Sequence, residues 1–256
     1  MPKILVVFSS LFGANAALAD DIQKVLLEEG AEVRVRGVKQ IVLAEAQKPA
    51  AAEHPDATGE DLAWADGYVF TSPAHTGLLS AAMKAFIDEN HDAAVAGDYL
   101  NKTFTAMSTT GFKHGGQERV VDELNAAGSA WGCVIVPPST ANPSLNKLDG
   151  NPWGLSFVLE DGRLPGQVEM AEVLAPHMRR FVAVTRSLLP LIDAGASAKV
   201  NANAANEEPT NKGVADKAPA NGTAAKSEES SDSSLVAEAE EVDAPRYNIT
   251  DVLGRG

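Results

Sequence analysis

Three short segments carry residue types suited to gripping a flat, anionic ligand. Ser9-Ser-Leu-Phe-Gly-Ala-Asn15 is small, holds one glycine and leads straight into a helical pattern. Free N–H groups and the dipole of a helix N-terminus favour a phosphate there, and Ser10 and Asn15 can add side-chain donors. The same stretch also reads as an ordinary strand-to-helix turn with Asn15 as N-cap. Thr71-Ser-Pro-Ala-His-Thr-Gly-Leu-Leu-Ser80 offers Pro73 to stiffen the strand exit and Gly77 to admit a planar group. His75 adds a hydrogen-bonding ring, or is simply an exposed loop residue. In Ser108-Thr-Thr-Gly-Phe-Lys-His-Gly-Gly-Gln-Glu118, hydroxyls and glycines cluster before a helix. They resemble a backbone nest able to hydrogen-bond a heteroaromatic edge, with Lys113 and His114 supplying positive charge. No spacing in the chain suits a metal.

The elements that must position these segments follow from periodicity. Five β-rich runs are Ile4–Phe8, Glu32–Arg36, Gly67–Thr71, Thr103–Met107 and Cys133–Val136. Mostly unbroken apolar runs of this length suit strands covered on both faces. Helical patterns lie between and after them, at Ala16–Glu29, Leu78–Glu89, Glu118–Ala127 and Met170–Leu189. This alternation predicts a doubly wound α/β fold, a five-stranded parallel sheet in the flavodoxin-like order 2-1-3-4-5. In such a sheet a ligand binds beyond the carboxyl ends of the strands, beside the switch in strand order. The three segments follow the first, third and fourth strands. Gln40–Glu60 reads as a short helix plus a loop, and Pro137–Gln167, rich in Pro, Gly and Asn, as a long irregular loop.

Composition divides the chain near Gly195. Residues 1–194 form the predicted domain. From residue 195 to 256, Ala, Asn, Ser, Glu and Lys dominate, and this acidic, low-complexity segment is expected to be disordered. Its end, Pro245–Gly254, is less biased and leaves a short docking motif open. The formal net charge is −14; the tail has six basic and eleven acidic residues, a net of −5, which leaves −9 on the body. Both parts would repel a nucleic-acid backbone. No apolar run reaches the length of a membrane span. A single cysteine, Cys133, sits in a predicted strand as a core thiol, and one thiol without a leader segment fits a reducing cytoplasm.

The motifs resemble those of the flavodoxin-like NAD(P)H:quinone oxidoreductases of the tryptophan-repressor-binding-protein (WrbA) type. Ser10-Leu-Phe-Gly13 is similar to that family's S-M-Y-G, and Pro73-Ala-His-Thr-Gly77 to its P-T-R-F-G. Ser108-Thr-Thr-Gly111 with Gly115-Gly-Gln-Glu118 is similar to its S-T-G-T-G-G-G-Q-E. Trp131-Gly-Cys-Val-Ile-Val-Pro137 is similar to H-G-M-V-I-V-P, and Asn151-Pro-Trp-Gly154 to T-P-Y-G. The likeness covers about residues 3 to 190.

The resemblance implies one FMN. Its phosphate would rest on Ser10, Leu11, Phe12, Gly13, Ala14 and Asn15. Its ring would lie between Pro73, Ala74, His75, Thr76, Gly77 and Leu78 on one side and Ser108, Thr109, Thr110, Gly111, Phe112, Gly115, Gly116 and Gln117 on the other. Trp131 would stack near the ring or fill the mouth of the pocket. The resemblance also implies NAD(P)H as co-substrate, a quinone as acceptor, a homo-oligomer (dimer or tetramer) and no catalytic side chain. Four departures stand out: Phe12 for the family's Tyr, the alanine-rich run Ala14–Ala17 for a more polar one, His75 for Arg, and Trp131 for His. Main-chain donors survive all of them, so a weaker FMN site is expected rather than none. An FMN-binding electron carrier or interaction scaffold without reductase activity is the alternative reading.

Overall fold

The computed structural model describes residues 1–41, 54–148 and 150–206, with side chains described to residue 195. The chain divides into two units, Met1–Glu208 and Pro209–Gly256. The second unit, with the Pro245–Gly254 motif and most of the segment expected to be disordered, lies outside the described residues, as does most of the 40–60 stretch.

The first unit is a doubly wound sheet. Its strands are β1 (Lys3–Phe8), β2 (Glu32–Gly37), β3 (Gly67–His75), β4 (Leu78–Leu79), β5 (Thr103–Thr110), β6 (Val134–Ile135) and β7 (Leu155–Val158). Its helices are α1 (Ala14–Glu28), α2 (Gly59–Trp64), α3 (Ala81–Glu89), α4 (His91–Val95), α5 (Gln117–Ala130) and α6 (Gln167–Asn206). The parallel order is β2-β1-β3-β5-β6, with β7 also on β5 and β4 antiparallel to β3. Counted by position, this is the expected 2-1-3-4-5.

Two features depart from the sequence reading. The fifth position is divided: β6 pairs Thr103–Phe104 and β7 pairs Met107–Thr110. Pro137 and Pro138 have no N–H to continue a ladder, so β6 stops and the chain returns to the same edge only at Leu155. The stretch read as an irregular loop therefore holds a strand and a 3-10 helix, Pro143–Leu148. At the other end, α6 runs unbroken through Gly195 to Asn206, so the change in composition does not mark the end of ordered structure.

β1 shows why the sheet is covered on both faces. Ile4, Val6 and Phe8 pack with α1 and α6 residues such as Leu18, Ile22 and Phe181. Leu5 and Val7 point the other way, into a cluster with Tyr68, Phe70, Met83, Phe104 and Leu124. Each such buried side chain contributes about 1.5–3 kcal/mol. β5 adds polar pins on the α6 side: Thr103 to Thr185 at 2.6 Å and Thr105 to His177 Nε2 at 2.9 Å. Burial, reinforced by Arg180, pushes the His177 imidazole down to about 3, so it is neutral in the fold. Among the described residues no helix is long and apolar enough to cross a membrane.

Candidate functional site

Three loops leave the carboxyl ends of β1, β3 and β5, which are neighbours in the sheet. The first ends in a helix start that the chain leaves open. Gly13, at φ 92, is the N-cap of α1 and supplies no side-chain cap. Its own N–H donates to Ser10 Oγ at 3.1 Å. The N–H groups of Leu11, Phe12, Ala14, Asn15 and Ala16 make no hydrogen bond to another described residue. Five donors at the positive end of a 15-residue helix make a seat for an anion.

Asn15 is not the N-cap. It lies inside α1, 2% exposed, and its amide is spent within the protein. Nδ2 donates to Thr109 Oγ1 at 2.8 Å and Oδ1 accepts from Thr71 Oγ1 at 2.5 Å. One buried side chain thus ties the start of α1 to the ends of both β3 and β5. Below it, Ser9, Ser72 and Ser80 form a second tie: Ser80 Oγ donates to Ser9 Oγ at 2.8 Å, and Ser72 Oγ to Ser80 Oγ at 3.2 Å.

The second loop is a hairpin. β3 runs on through Pro73 to His75, because beyond Thr71 its β1 side is unpaired and a missing N–H there costs nothing. Thr76 and Gly77 then turn the chain with φ 51 and 79, and β4 follows at Leu78. Glu123 Oε2 on α5 accepts from the Leu79 N–H at 2.8 Å and holds this tongue in place. Partial burial pushes the His75 imidazole below its usual range.

The third loop repeats the design of the first. Gly116, at φ 92, is the uncapped N-cap of α5. The N–H groups of Gly116, Gln117, Glu118 and Arg119 make no hydrogen bond to another described residue. Gln117, 2% exposed, folds over the loop: Oε1 accepts from the Gly115 N–H at 3.1 Å and Nε2 donates to the Lys113 carbonyl at 2.6 Å. It positions the loop rather than offering a free amide. A Cβ on Gly116 would lie 2.5 Å from Gly77 Cα, so the second and third loops meet backbone to backbone.

Gly111 is a different case. A Cβ there would meet nothing within 4 Å, and its φ lies outside the left-handed region. Neither packing nor backbone conformation requires a glycine there, so the chain by itself gives no reason for it. A ligand pressed against the loop would. The Ser108 hydroxyl, near the end of β5, is buried without a hydrogen-bond partner.

The structure brings together every expected site residue from Ser10 to Gln117. Trp131 is the exception. It follows α5, a 14-residue helix whose first turn is at the site, and so stands about 21 Å away. There it is 5% exposed, packed against Tyr99 at 4.8 Å, Phe70 at 5.9 Å and Tyr68 at 6.3 Å. It is a core residue of the opposite end and neither stacks at this site nor fills its mouth. Cys133 is nearby and half-buried; burial, only partly offset by Lys102, pushes its thiol up to about 12. The positioning residues Thr71, Glu123 and Ser80 went unassigned in the sequence. Only Ser80 carried a signal, a serine three residues before Met83 at a helix start.

Fold and loops together define a flavodoxin-like protein with two open helix starts on one sheet edge. The flavodoxin, WrbA-like protein from Agrobacterium tumefaciens has the same fold, with a TM-score of 0.50, 15% identity, and 73% of this chain and 99% of that one covered. The family described as NADPH-dependent FMN reductase matches residues 2–144, more than half of the chain, and the protein belongs to it. An NAD(P)H dehydrogenase (quinone) of Deinococcus radiodurans is 33% identical over 196 residues, 73% of this chain and 97% of the relative. One from Chelativorans sp. (strain BNC1) is 32% identical over 199 residues, 74% of this chain and 100% of the relative.

Proposed function

We propose that this protein is an FMN-dependent oxidoreductase that passes two electrons from NAD(P)H to a quinone-like acceptor. The observation that carries the proposal is the pair of uncapped helix starts flanking a glycine, Gly111, that nothing in the chain requires. Family membership supplies the chemistry, and the relatives named as quinone dehydrogenases supply the acceptor class.

The residues present fit FMN. The amides of Leu11, Phe12, Ala14, Asn15 and Ala16, with the Ser10 hydroxyl, would hold the phosphate. The family's tyrosine hydroxyl is absent at Phe12, so the grip falls on the main chain. Each such bond to a charged phosphate contributes about 1.5–3 kcal/mol. The open side of Gly111 and the His75–Leu78 hairpin would bracket the ring, with Gln117 and Glu123 fixing the two walls. FMN held by these residues would supply two-electron transfer from NAD(P)H to a quinone. The chain's own work is to orient, to exclude water and to tune. His75, kept neutral by its partial burial, offers one donor and one acceptor at the ring's edge without adding charge. No side chain is assigned as a catalytic acid or base.

We further place the enzyme in the cytoplasm, where nicotinamide dinucleotides are held. We take it to act as a homodimer or homotetramer, and read the acidic segment at the end of the chain as an appendage outside the flavin-binding domain. The site itself is tested by Gly111→Val. A side chain there enters open space, so thermal unfolding should match the unsubstituted protein. Flavin absorbance on incubation with excess FMN should be lost, an affinity drop of roughly a hundredfold or more. Unchanged FMN uptake by the variant would refute the placement of the ring, and an unsubstituted protein that takes up no FMN would refute the function.

A further inference from the structure

Of the eight phenylalanines, six are at most 7% exposed; Phe12 and Phe112 stand at 78% and 77%. Single exposed apolar residues are ordinary on protein surfaces. These two are not scattered. Phe12 is on the first site loop and Phe112 on the third, and Leu78, 45% exposed, heads the hairpin between them. Each phenylalanine also adjoins a glycine, Gly13 or Gly111, whose Cβ direction is empty within 4 Å. The rings therefore border open space at the site rather than packing onto the fold.

Charge points the same way. In a chain of net charge −14, residues 9–15, 71–80 and 108–117 contain no Asp or Glu. Glu123, which reaches the hairpin from α5, is engaged by the Leu79 N–H. The three loops thus carry no carboxylate in an otherwise acidic molecule; Lys113 and His114 stand on the third, and Glu118 follows it in the first turn of α5. Adjacent strands lie about 4.8 Å apart, so the loops after β1 and β5 leave the sheet about 10 Å from each other. A single quinone ring stacked on a flavin held beside Gly111 does not span that distance. A ring carrying an apolar substituent does.

We infer that the acceptor is a quinone with an apolar tail, and that Phe12, Leu78 and Phe112 form the surface along which the tail lies. This rests on the reductase reading given above and adds the class of acceptor to it. Phe112 and Leu78 border the ring; Phe12, at the phosphate end, touches only the tail. Truncating it removes apolar area that a tailless acceptor never covers.

The test compares a dimethoxy-methyl-benzoquinone with its decyl-tailed analogue, using the full-length, FMN-loaded protein and rates normalised to bound flavin. The quantity read is the ratio of kcat/KM for the tailed acceptor to that for the tailless one. Phe12→Ser and Phe112→Ser should each lower this ratio severalfold, and the double variant tenfold or more, with the change in KM rather than kcat. A ratio within twofold of the unsubstituted protein overturns the inference, however far the absolute rates fall. A changed sedimentation mass in the double variant also overturns it, because the rings would then be a contact between copies of the chain. Unsubstituted protein active on the tailless quinone but not the tailed one sinks the inference alone; inactivity with both sinks the reductase reading as well.

Discussion

Helices α2 and α3 begin in one way, α1 and α5 in another. Thr58 Oγ1 accepts from the Asp61 N–H at 3.2 Å, and Ser80 Oγ accepts from the Met83 N–H at 3.3 Å. Each hydroxyl closes its own helix start. At α1 and α5 the corresponding residue is a glycine with φ 92 and no side chain to offer. A capping hydroxyl would contribute about 1 kcal/mol at either place. Both places forgo it, and both face the same sheet edge. The difference separates donors that serve the fold from donors kept for something outside it.

The comparison can be broken most directly by giving α1 an anion of its own. Ala14→Asp puts a carboxylate into the first turn, where the helix dipole favours it by about 0.3–1 kcal/mol. Thermal stability should hold or rise while FMN affinity, read by flavin fluorescence, falls roughly a hundredfold or more. Retained affinity would mean that the phosphate does not sit there. Asn15→Ala attacks the tie beneath both open starts. It strands the hydroxyls of Thr71 and Thr109, so urea denaturation should show a loss of about 2–4 kcal/mol, with FMN binding weakened roughly tenfold. The smallest effect sharpens the contrast from the other side. Thr58→Ala should cost about 1 kcal/mol of stability and leave FMN titrations superimposable on those of the unsubstituted protein.

What was legible in the sequence was periodic or local. The unbroken run Ile4–Phe8 announced a strand covered on both faces, and the glycine-bearing loops announced the turns that follow β1, β3 and β5. What was missed was mostly remote in the chain. Asn15 resembles an N-cap until its partners Thr71 and Thr109, 56 and 94 residues away, are seen. Leu155-Ser-Phe-Val158 alternates like a strand, but its partner Met107–Thr110 straddles the end of one predicted strand and the start of a predicted loop, and the Pro, Gly and Asn around Leu155 suggested a loop. Trp131 was a different kind of miss: the rise of an α-helix from Gln117 onward already carries it to the far end of the sheet. Gly195 shows that a shift in composition and a boundary in structure are separate things, since α6 crosses it.

The insert that divides the fifth strand also repairs a fault in α6. Pro176 has no N–H for the Glu172 carbonyl, and the Asn142 amide, on the residue just before the 3-10 helix, donates to that oxygen at 3.4 Å instead. Asn142 therefore serves two elements at once: its Oδ1 accepts from the Ser144 N–H at 3.1 Å inside the insert, while its amide answers the acceptor that Pro176 leaves open in α6.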